Sequence, residues 1–249
     1  ATGDGAMKTY ITHPENSGPF APIILYMDIW GIREELRVIA RRITKIGYAC
    51  ILPDLYYRQG DDVGTAYYDE NGRMISLHKL DDLRTERVQA ARAQLTGNMV
   101  MRDTEAIMHF IDTQNWMRGG IIGSIGWCMG GWMVLSAAGN YPDRFQASVC
   151  LHGTKLISDQ PDSPHHLVKK FHSGLYCGYG ELDHLTPPTM AEEIARLTKH
   201  GPVDYRATIH AGAEHGYALP DRDIFDARAA AHDWELIFDM WERRLGTSY

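Results

Sequence analysis

Short runs of apolar residues alternate along the chain with longer segments in which apolar residues recur every three or four positions. Continuous apolar runs are typical of strands buried on both faces, whereas the longer spacing is typical of amphipathic helices. The predicted strands are 7–13, 22–27, 48–52, 121–125, 147–151, 175–179 and 203–209. The predicted helices are 33–46, 77–95 (one or two helices), 99–116, 187–200 and 226–245. This alternation predicts an α/β protein with a mainly parallel sheet and helices on both faces.

Two segments interrupt this alternation of strands and helices. Residues 59–97 begin with a polar, glycine-containing stretch, and we interpret this part of the chain as an insert that forms a lid over a pocket. Residues 158–172 are polar and are predicted to form a loop. The length of 249 residues suits one domain, which we expect to span residues 1–249.

One stretch carries a chemical motif. The apolar run 121–125 continues as Gly126-Trp127-Cys128-Met129-Gly130-Gly131 and then enters a helical pattern. Gly-x-Cys-x-Gly between a strand and a helix is the nucleophile-elbow pattern, with cysteine in place of the usual serine. The glycines leave room for neighbouring backbone, and the start of the following helix favours negative charge on sulfur. Because a free cysteine is most often a small buried apolar residue, the interpretation depends on partners elsewhere in the chain.

Those partners are a base and an acid that follow the cysteine in the chain. A thiol nucleophile needs a base, and the base needs an acceptor that orients it. Asp183 follows a predicted strand and is the candidate acid, with Glu181 as the alternative. His215 lies in a glycine-containing loop after the last predicted strand and is the candidate base, with His210 and His184 as alternatives. The order nucleophile, acid, histidine is that of α/β-hydrolases.

Taken together, the motifs resemble those of the dienelactone hydrolase family of α/β-hydrolases. The stretches that carry the resemblance are 126–131 (GWCMGG), 180–183 (GELD), 212–216 (GAEHG), 28–31 (DIWG) and 52–56 (LPDLY). The resemblance covers the chain from about residue 4 to residue 245 and is weakest over 59–97. Each motif alone is common, but the combination in this order is specific.

The resemblance implies an α/β-hydrolase fold and a triad of Cys128, His215 and Asp183. It also implies that the backbone N–H groups of Met129 and Ile29 form an oxyanion hole, as is usual for the residue after an elbow nucleophile and a nearby strand-end loop. Family members hydrolyse ester or lactone bonds, and the namesake enzyme acts on dienelactones. The implied mechanism needs no metal and no organic cofactor.

Two positions depart from the namesake enzyme. Asp28 stands where that enzyme has a glutamate that helps to activate the cysteine, and aspartate is one methylene shorter. Leu219 stands where it has one of the arginines that hold the substrate carboxylate. The other arginine corresponds to the region of Arg84 and Arg87, which are candidate substrate-binding residues with an exposed helix face as the alternative.

The same residues are compatible with two other functions. Trp30, Trp127 and Tyr217 suit a general carboxylesterase or thioesterase with a neutral or aromatic substrate, unless these aromatic residues pack in the core. A redox-active thiol protein would oxidise Cys128 instead of acylating it. The sequence has no Cys-x-x-Cys motif and no obvious resolving cysteine, which disfavours the redox function.

The composition of the chain disfavours some classes of binding partner. The net charge of −7 argues against a nucleic-acid or anionic-membrane surface, and no apolar stretch is long enough to span a bilayer. The cysteines at positions 50, 150 and 177 lie in strand-like runs, which is typical of reduced core residues. His165, His166 and His172 lack a recognised metal-ligand spacing. A chain of this length needs no disulfides to fold, so we expect a cytoplasmic protein. We also expect a monomer or homodimer that acts on a small ester or lactone.

Overall fold

A seven-stranded sheet forms the centre of the protein. The computed structural model describes residues 2–60, 63 and 66–246. The strands are β1 (Thr9–Thr12), β2 (Pro22–Tyr26), β3 (Ala49–Pro53), β4 (Ile122–Trp127), β5 (Phe145–Leu151), β6 (Gly174–Gly180) and β7 (Asp204–His210). Their order across the sheet is β1-β3-β2-β4-β5-β6-β7. β1 is antiparallel to β3 and the other neighbouring strands are parallel, which confirms the predicted α/β-hydrolase fold class.

The described part of the chain contains six α-helices. They are α1 (Glu34–Lys45), α2 (Asp82–Ala93), α3 (Gly97–Thr113), α4 (Met129–Asn140), α5 (Pro188–Thr198) and α6 (Ala227–Leu245). In α1 the apolar residues Leu36, Ile39 and Ile43 are buried at helical spacing, and Gly47 follows the helix with a φ of 96°. Every residue of β2, β3, β4 and β6 is buried, so these strands are continuous apolar runs instead of alternating ones.

The prediction for residues 158–172 was only partly right. Pro164–Lys170 form a 3-10 helix that packs against α4 instead of an extended polar loop. Val168 and Phe171 are buried there, and a Cβ on Gly139 of α4 would lie 2.3 Å from the Cβ of Leu167. The apolar residues of this segment are too few and too irregularly spaced to give a helical pattern in the sequence. They are nevertheless sufficient to hold the short helix against α4.

The segment 59–97 contains the 3-10 helix Leu77–Lys79 followed by α2, in agreement with the prediction of one or two helices. Residues 61, 62, 64 and 65 of this segment lie outside the described residues.

No helix in the described ranges is long and apolar enough to cross a membrane.

Candidate active site

Cys128 lies in the tight turn between β4 and α4. Its backbone has a φ of 51° and a ψ of −117°, a strained conformation for a residue with a side chain. The flanking glycines make this turn possible, because a Cβ on Gly130 would lie 2.5 Å from the backbone oxygen of Tyr26. A Cβ on Gly126 would lie 2.4 Å from the backbone oxygen of Gly130. The Gly-x-Cys-x-Gly pattern therefore reflects close backbone contacts that exclude larger residues.

Asp183 and His215 meet at the carboxyl edge of the sheet, in the loops after β6 and β7. Nδ1 of His215 lies 2.8 Å from Oδ2 of Asp183. The other carboxylate oxygen, Oδ1, accepts the backbone N–H groups of Leu185 at 2.9 Å and Thr186 at 3.0 Å. Asp183 is 2% exposed, so its carboxylate is held rigidly and fixes the orientation of the imidazole.

The other ring nitrogen of His215, Nε2, is buried and makes no hydrogen bond to the described residues. Burial by itself lowers the pKa of His215, but the negative charge of Cys128 and the hydrogen bond to Asp183 outweigh it and raise the pKa to about 10. The arrangement therefore stabilises an imidazolium beside the sulfur of Cys128.

This electrostatic coupling predicts the titration of His215. Because its pKa of about 10 lies above neutrality, the ring stays protonated through the neutral range and loses its proton only as the pH approaches that value. In Cys128→Ala the sulfur charge is gone, so we expect the pKa of His215 to fall. Nitrogen NMR of the imidazole in both proteins measures the shift, and identical titration curves would contradict the coupling.

Asp28 is fully buried at the end of β2 and belongs to an ionic network. Its Oδ1 accepts the N–H of Trp30 at 3.0 Å and Nη1 of Arg33 at 2.9 Å. Arg33 also contacts Asp221, with 2.5 Å between Nε and Oδ2. Burial opposes the charge of Arg33, yet the two carboxylates raise its pKa, so both ion pairs persist. The Oδ2 atom of Asp28 is buried and has no hydrogen-bond partner among the described residues.

The two predicted oxyanion donors belong to the residue after the cysteine and to the loop after β2. Met129 is the first residue of α4, so its N–H has no acceptor within the helix. The peptide between Asp28 and Ile29 is oriented by Gly31, whose N–H donates to the Asp28 carbonyl at 3.2 Å. Since the N–H of a peptide points away from its carbonyl, this contact fixes the direction of the Ile29 N–H. Both Ile29 and Met129 line the same cavity as Cys128.

That cavity has a volume of about 550 Å³ and includes the side chains of Cys128 and His215 in its wall. Part of the wall comes from the segment 59–97, through Ser76, Leu77, His78, Leu80, Asp82, Thr85, Gln89 and Arg92. The mixture of apolar and charged lining residues suits a small organic molecule with a polar group.

The predicted substrate-binding residues divide between this cavity and other environments. Trp30 lines the cavity. Trp127 is fully buried with its ring 6.5 Å from that of Trp234, and the Tyr217 hydroxyl donates to Asp233, so both belong to the packed interior behind the site. Neither Arg84 nor Arg87 lines the cavity. Arg84 lies over the ring of Tyr67 and pairs with Asp81.

Arg222 is a cavity residue that the sequence did not single out. It is 3% exposed, and its guanidinium lies 5.7 Å from the ring centroid of Trp30. Nη2 donates to the Ser76 hydroxyl at 3.3 Å, while the buried Nε has no partner among the described residues. A buried cation normally has an anionic partner, whereas Arg222 forms no ion pair with the described residues. The carboxylates of Asp221 and Asp223, which flank Arg222 in the sequence, form ion pairs with Arg33 and Lys79 instead of with Arg222.

His152, directly after β5, is a second residue that sequence reasoning missed. It is fully buried, and its ring meets that of His215 edge-on with 5.0 Å between centroids. Burial lowers the pKa of His152 well below its ordinary value, and the charges of His215 and Arg222 lower it further. The lowered pKa favours the neutral form of the His152 ring where it packs against His215. A lone histidine after a strand gives no sequence signal for this position.

Within the described ranges, no group of three His, Cys, Asp or Glu side chains is arranged to hold a metal ion. All four cysteines are free and buried.

Comparison with known proteins gives a consistent family assignment. The model of the dienelactone hydrolase family matches residues 7–245. A protein of Synechocystis sp. described as "Putative carboxymethylenebutenolidase" is 25% identical over 95% of this chain and 91% of its own. A "Probable 2-oxo-3-(5-oxofuran-2-ylidene)propanoate lactonase" of Bradyrhizobium sp. is 23% identical over 96% of this chain and 91% of its own. The fold matches a crystal structure of a "Putative Dienelactone Hydrolase" from Klebsiella pneumoniae with a TM-score of 0.80 and 20% identity, over 95% and 93% of the two chains.

Proposed function

The chain belongs to the dienelactone hydrolase family and is a hydrolase of ester or lactone bonds; from that premise we propose that Cys128 is its nucleophile. The observation that carries the proposal is the Asp183–His215 pair, 2.8 Å apart, beside a cysteine in a strained strand-to-helix turn. Nucleophile, base and orienting acid are the three parts that acyl transfer through a covalent intermediate requires.

The reaction follows from these roles. The Cys128 thiolate attacks the substrate carbonyl carbon, and the N–H groups of Met129 and Ile29 stabilise the oxygen that becomes negative. The imidazolium of His215 gives its proton to the leaving alkoxide as the carbon–oxygen bond breaks, which leaves a thioester on Cys128. Neutral His215 then takes a proton from water, the hydroxide attacks the thioester, and the acid product leaves as the thiolate is restored.

We propose that Asp28 assists as a positioning residue. Its Oδ1 is held by Arg33, whereas Oδ2 is buried without a partner among the described residues. The carboxylate is one methylene shorter than the glutamate of the namesake enzyme and is fixed by Arg33. We therefore assign it to positioning the loop that presents the Ile29 N–H, not to direct proton transfer from sulfur.

The substrate class follows from Arg222. Because His215 must protonate the leaving oxygen, the alcohol part of the substrate lies on the His215 side of the cavity. Arg222 belongs to that side, since its charge lowers the pKa of His152, which packs on His215. We infer an ester or lactone with a carboxylate on its alcohol part, as in a dienelactone. The rival, a general esterase for neutral substrates, is favoured by the apolar wall of Trp30, Leu77 and Leu185.

Arg222→Met separates these two functions. We expect the ratio of kcat/KM for cis-dienelactone to kcat/KM for its neutral methyl ester to fall about tenfold to a hundredfold, because a charge-assisted hydrogen bond contributes roughly 1.5–3 kcal/mol. Lactone ring opening is followed by absorbance, with Arg196→Met as the control for loss of an exposed arginine. An unchanged ratio would reject the anionic substrate and favour the general esterase.

We expect the protein to act in the cytoplasm on small molecules, without nucleic acid or membrane, as a monomer or homodimer. The segment 59–97 supplies one wall of the cavity, which supports its proposed role as a lid within a single domain.

A further inference from the structure

A second cavity adjoins the one that contains Cys128. Its volume is about 450 Å³, and it shares Arg92, Met129, Thr154 and Lys155 with the first cavity. Its other lining residues include Trp132 and the polar side chains of Ser158 and Gln160. Met129, whose N–H we assign to the oxyanion hole, lines both cavities, so a substrate held by this N–H has access to both.

Two cationic side chains flank the junction without a counter-charge. Neither Arg92 nor Lys155 forms an ion pair or a side-chain hydrogen bond with another residue in the described part of the chain. Burial lowers the pKa of Lys155, and the charge of Arg92 lowers it further, so the two side chains are close enough to repel each other. Asp162 lines the second cavity but pairs with neither of them. An anion between the two cations would relieve this repulsion.

The backbone holds Lys155 in this position. Its φ is 54°, a left-handed conformation that costs energy for a residue with a side chain. The preceding residue, Thr154, donates its N–H to the Cys128 carbonyl at 2.9 Å. The Gly153 carbonyl accepts the Thr186 hydroxyl at 2.7 Å. The segment that carries Lys155 is thus tied to both the nucleophile turn and the loop of Asp183.

The direction of the substrate decides which part enters the second cavity. Cys128 and His215 line the first cavity and are absent from the lining of the second. Since the leaving alcohol must lie beside His215, the acyl part extends past Met129 in the other direction.

We propose that Arg92 and Lys155 form a binding site for an anionic group on the acyl chain, so that the preferred substrates are esters of dicarboxylic acids or of acids with a comparable terminal anion. This inference rests on the proposed hydrolase function and adds a second anion site, distinct from Arg222. The Trp132 ring and the polar residues around it provide space for the carbon chain and the hydrated end of the acid.

Matched acyl chains test the proposal. The probes are mono-4-nitrophenyl esters of succinate, glutarate and adipate, each compared with the neutral 4-nitrophenyl ester of the fatty acid that lacks the terminal carboxylate. After subtraction of spontaneous hydrolysis, we expect the wild type to prefer at least one of the carboxylate esters. In the double variant Arg92→Met/Lys155→Met, the ratio of kcat/KM between that ester and its neutral partner is expected to fall about tenfold or more. Lys170→Met controls for the loss of an exposed lysine.

The outcomes separate this proposal from the proposed function. If the wild type hydrolyses the neutral esters and shows no preference for carboxylate esters, the acyl-side anion site is overturned and the hydrolase function stands. The same conclusion follows if the double variant retains the preference of the wild type. A wild type that hydrolyses none of the esters, although it is folded by circular dichroism, overturns the site and counts against the hydrolase function as well. The site is supported if increasing salt weakens the preference of the wild type for the carboxylate ester and has no such effect on the double variant.

Discussion

Replacing Cys128 with alanine is expected to reduce kcat for a chromogenic ester by at least about 10⁴-fold, the scale seen when the nucleophile of a hydrolase triad is removed. The remaining N–H donors and cavity can still bind the substrate, but no thioester can form. Initial rates with 4-nitrophenyl acetate measure the effect, and circular dichroism shows whether the variant is folded. The turn conformation with a φ of 51° is retained by alanine, so the fold is expected to survive.

Cys50→Ala is the matched control for this change. Cys50 is also free and fully buried, but it lies in β3 and does not line the cavity. Its replacement is expected to lower stability slightly and to leave kcat within about twofold, since it removes only a small buried group. Comparable losses in the two variants would mean that the effect at Cys128 is structural, and equal turnover in the wild type and Cys128→Ala would exclude Cys128 as the nucleophile.

Asp183→Asn is expected to lower kcat by roughly 10³–10⁴-fold with little change in KM, by analogy with the same substitution in serine proteases. The asparagine carbonyl can keep the backbone N–H bonds of Leu185 and Thr186, which preserves the loop. Its amide NH₂ then faces Nδ1 of His215 and donates where the carboxylate accepted. The ring consequently adopts the tautomer that cannot accept the proton of the attacking water at Nε2.

Glu181→Gln tests the alternative acid directly. Glu181 accepts the backbone N–H of Gly212 at 2.8 Å, whereas Nδ1 of His215 is bonded to Asp183, so a glutamine that retains the Gly212 bond is expected to leave kcat within about threefold. Thermal unfolding of both variants shows whether either substitution damages the loop. A large loss in Glu181→Gln together with full activity in Asp183→Asn would assign the acid to Glu181 and contradict the proposed triad.

The sheet and the strand-to-helix turn at Cys128 were predictable because their signals are local. The strands β2, β3, β4 and β6 are buried along their whole length, and parallel strands necessarily bring their carboxyl-end loops to one edge. The proximity of Asp183 and His215 follows from this topology, although they are far apart in the sequence. Gly130 was predictable as part of the motif, and the structure supplies its reason in the contact with Tyr26.

The walls of the cavity were less predictable, because they depend on how loops fold over the sheet. Arg222 has an acidic residue on each side in the sequence, but these pair with Arg33 and with Lys79, which leaves Arg222 for the cavity. The helix predicted to supply Arg84 and Arg87 does form, yet it turns Arg92 toward the cavity. Which face of an amphipathic helix meets a cavity depends on the orientation of the helix, which its sequence alone does not specify.

The identity of the acylated residue tests the central claim most directly. The protein is mixed with excess 4-nitrophenyl acetate, quenched in acid within the first turnovers, and digested for peptide mass spectrometry, since a thioester survives acid. The proposed mechanism predicts one acetyl group on the peptide that contains Cys128, absent from Cys128→Ala. An acetyl group confined to another residue, or continued turnover with no acylated protein at any time point, would contradict a covalent Cys128 intermediate.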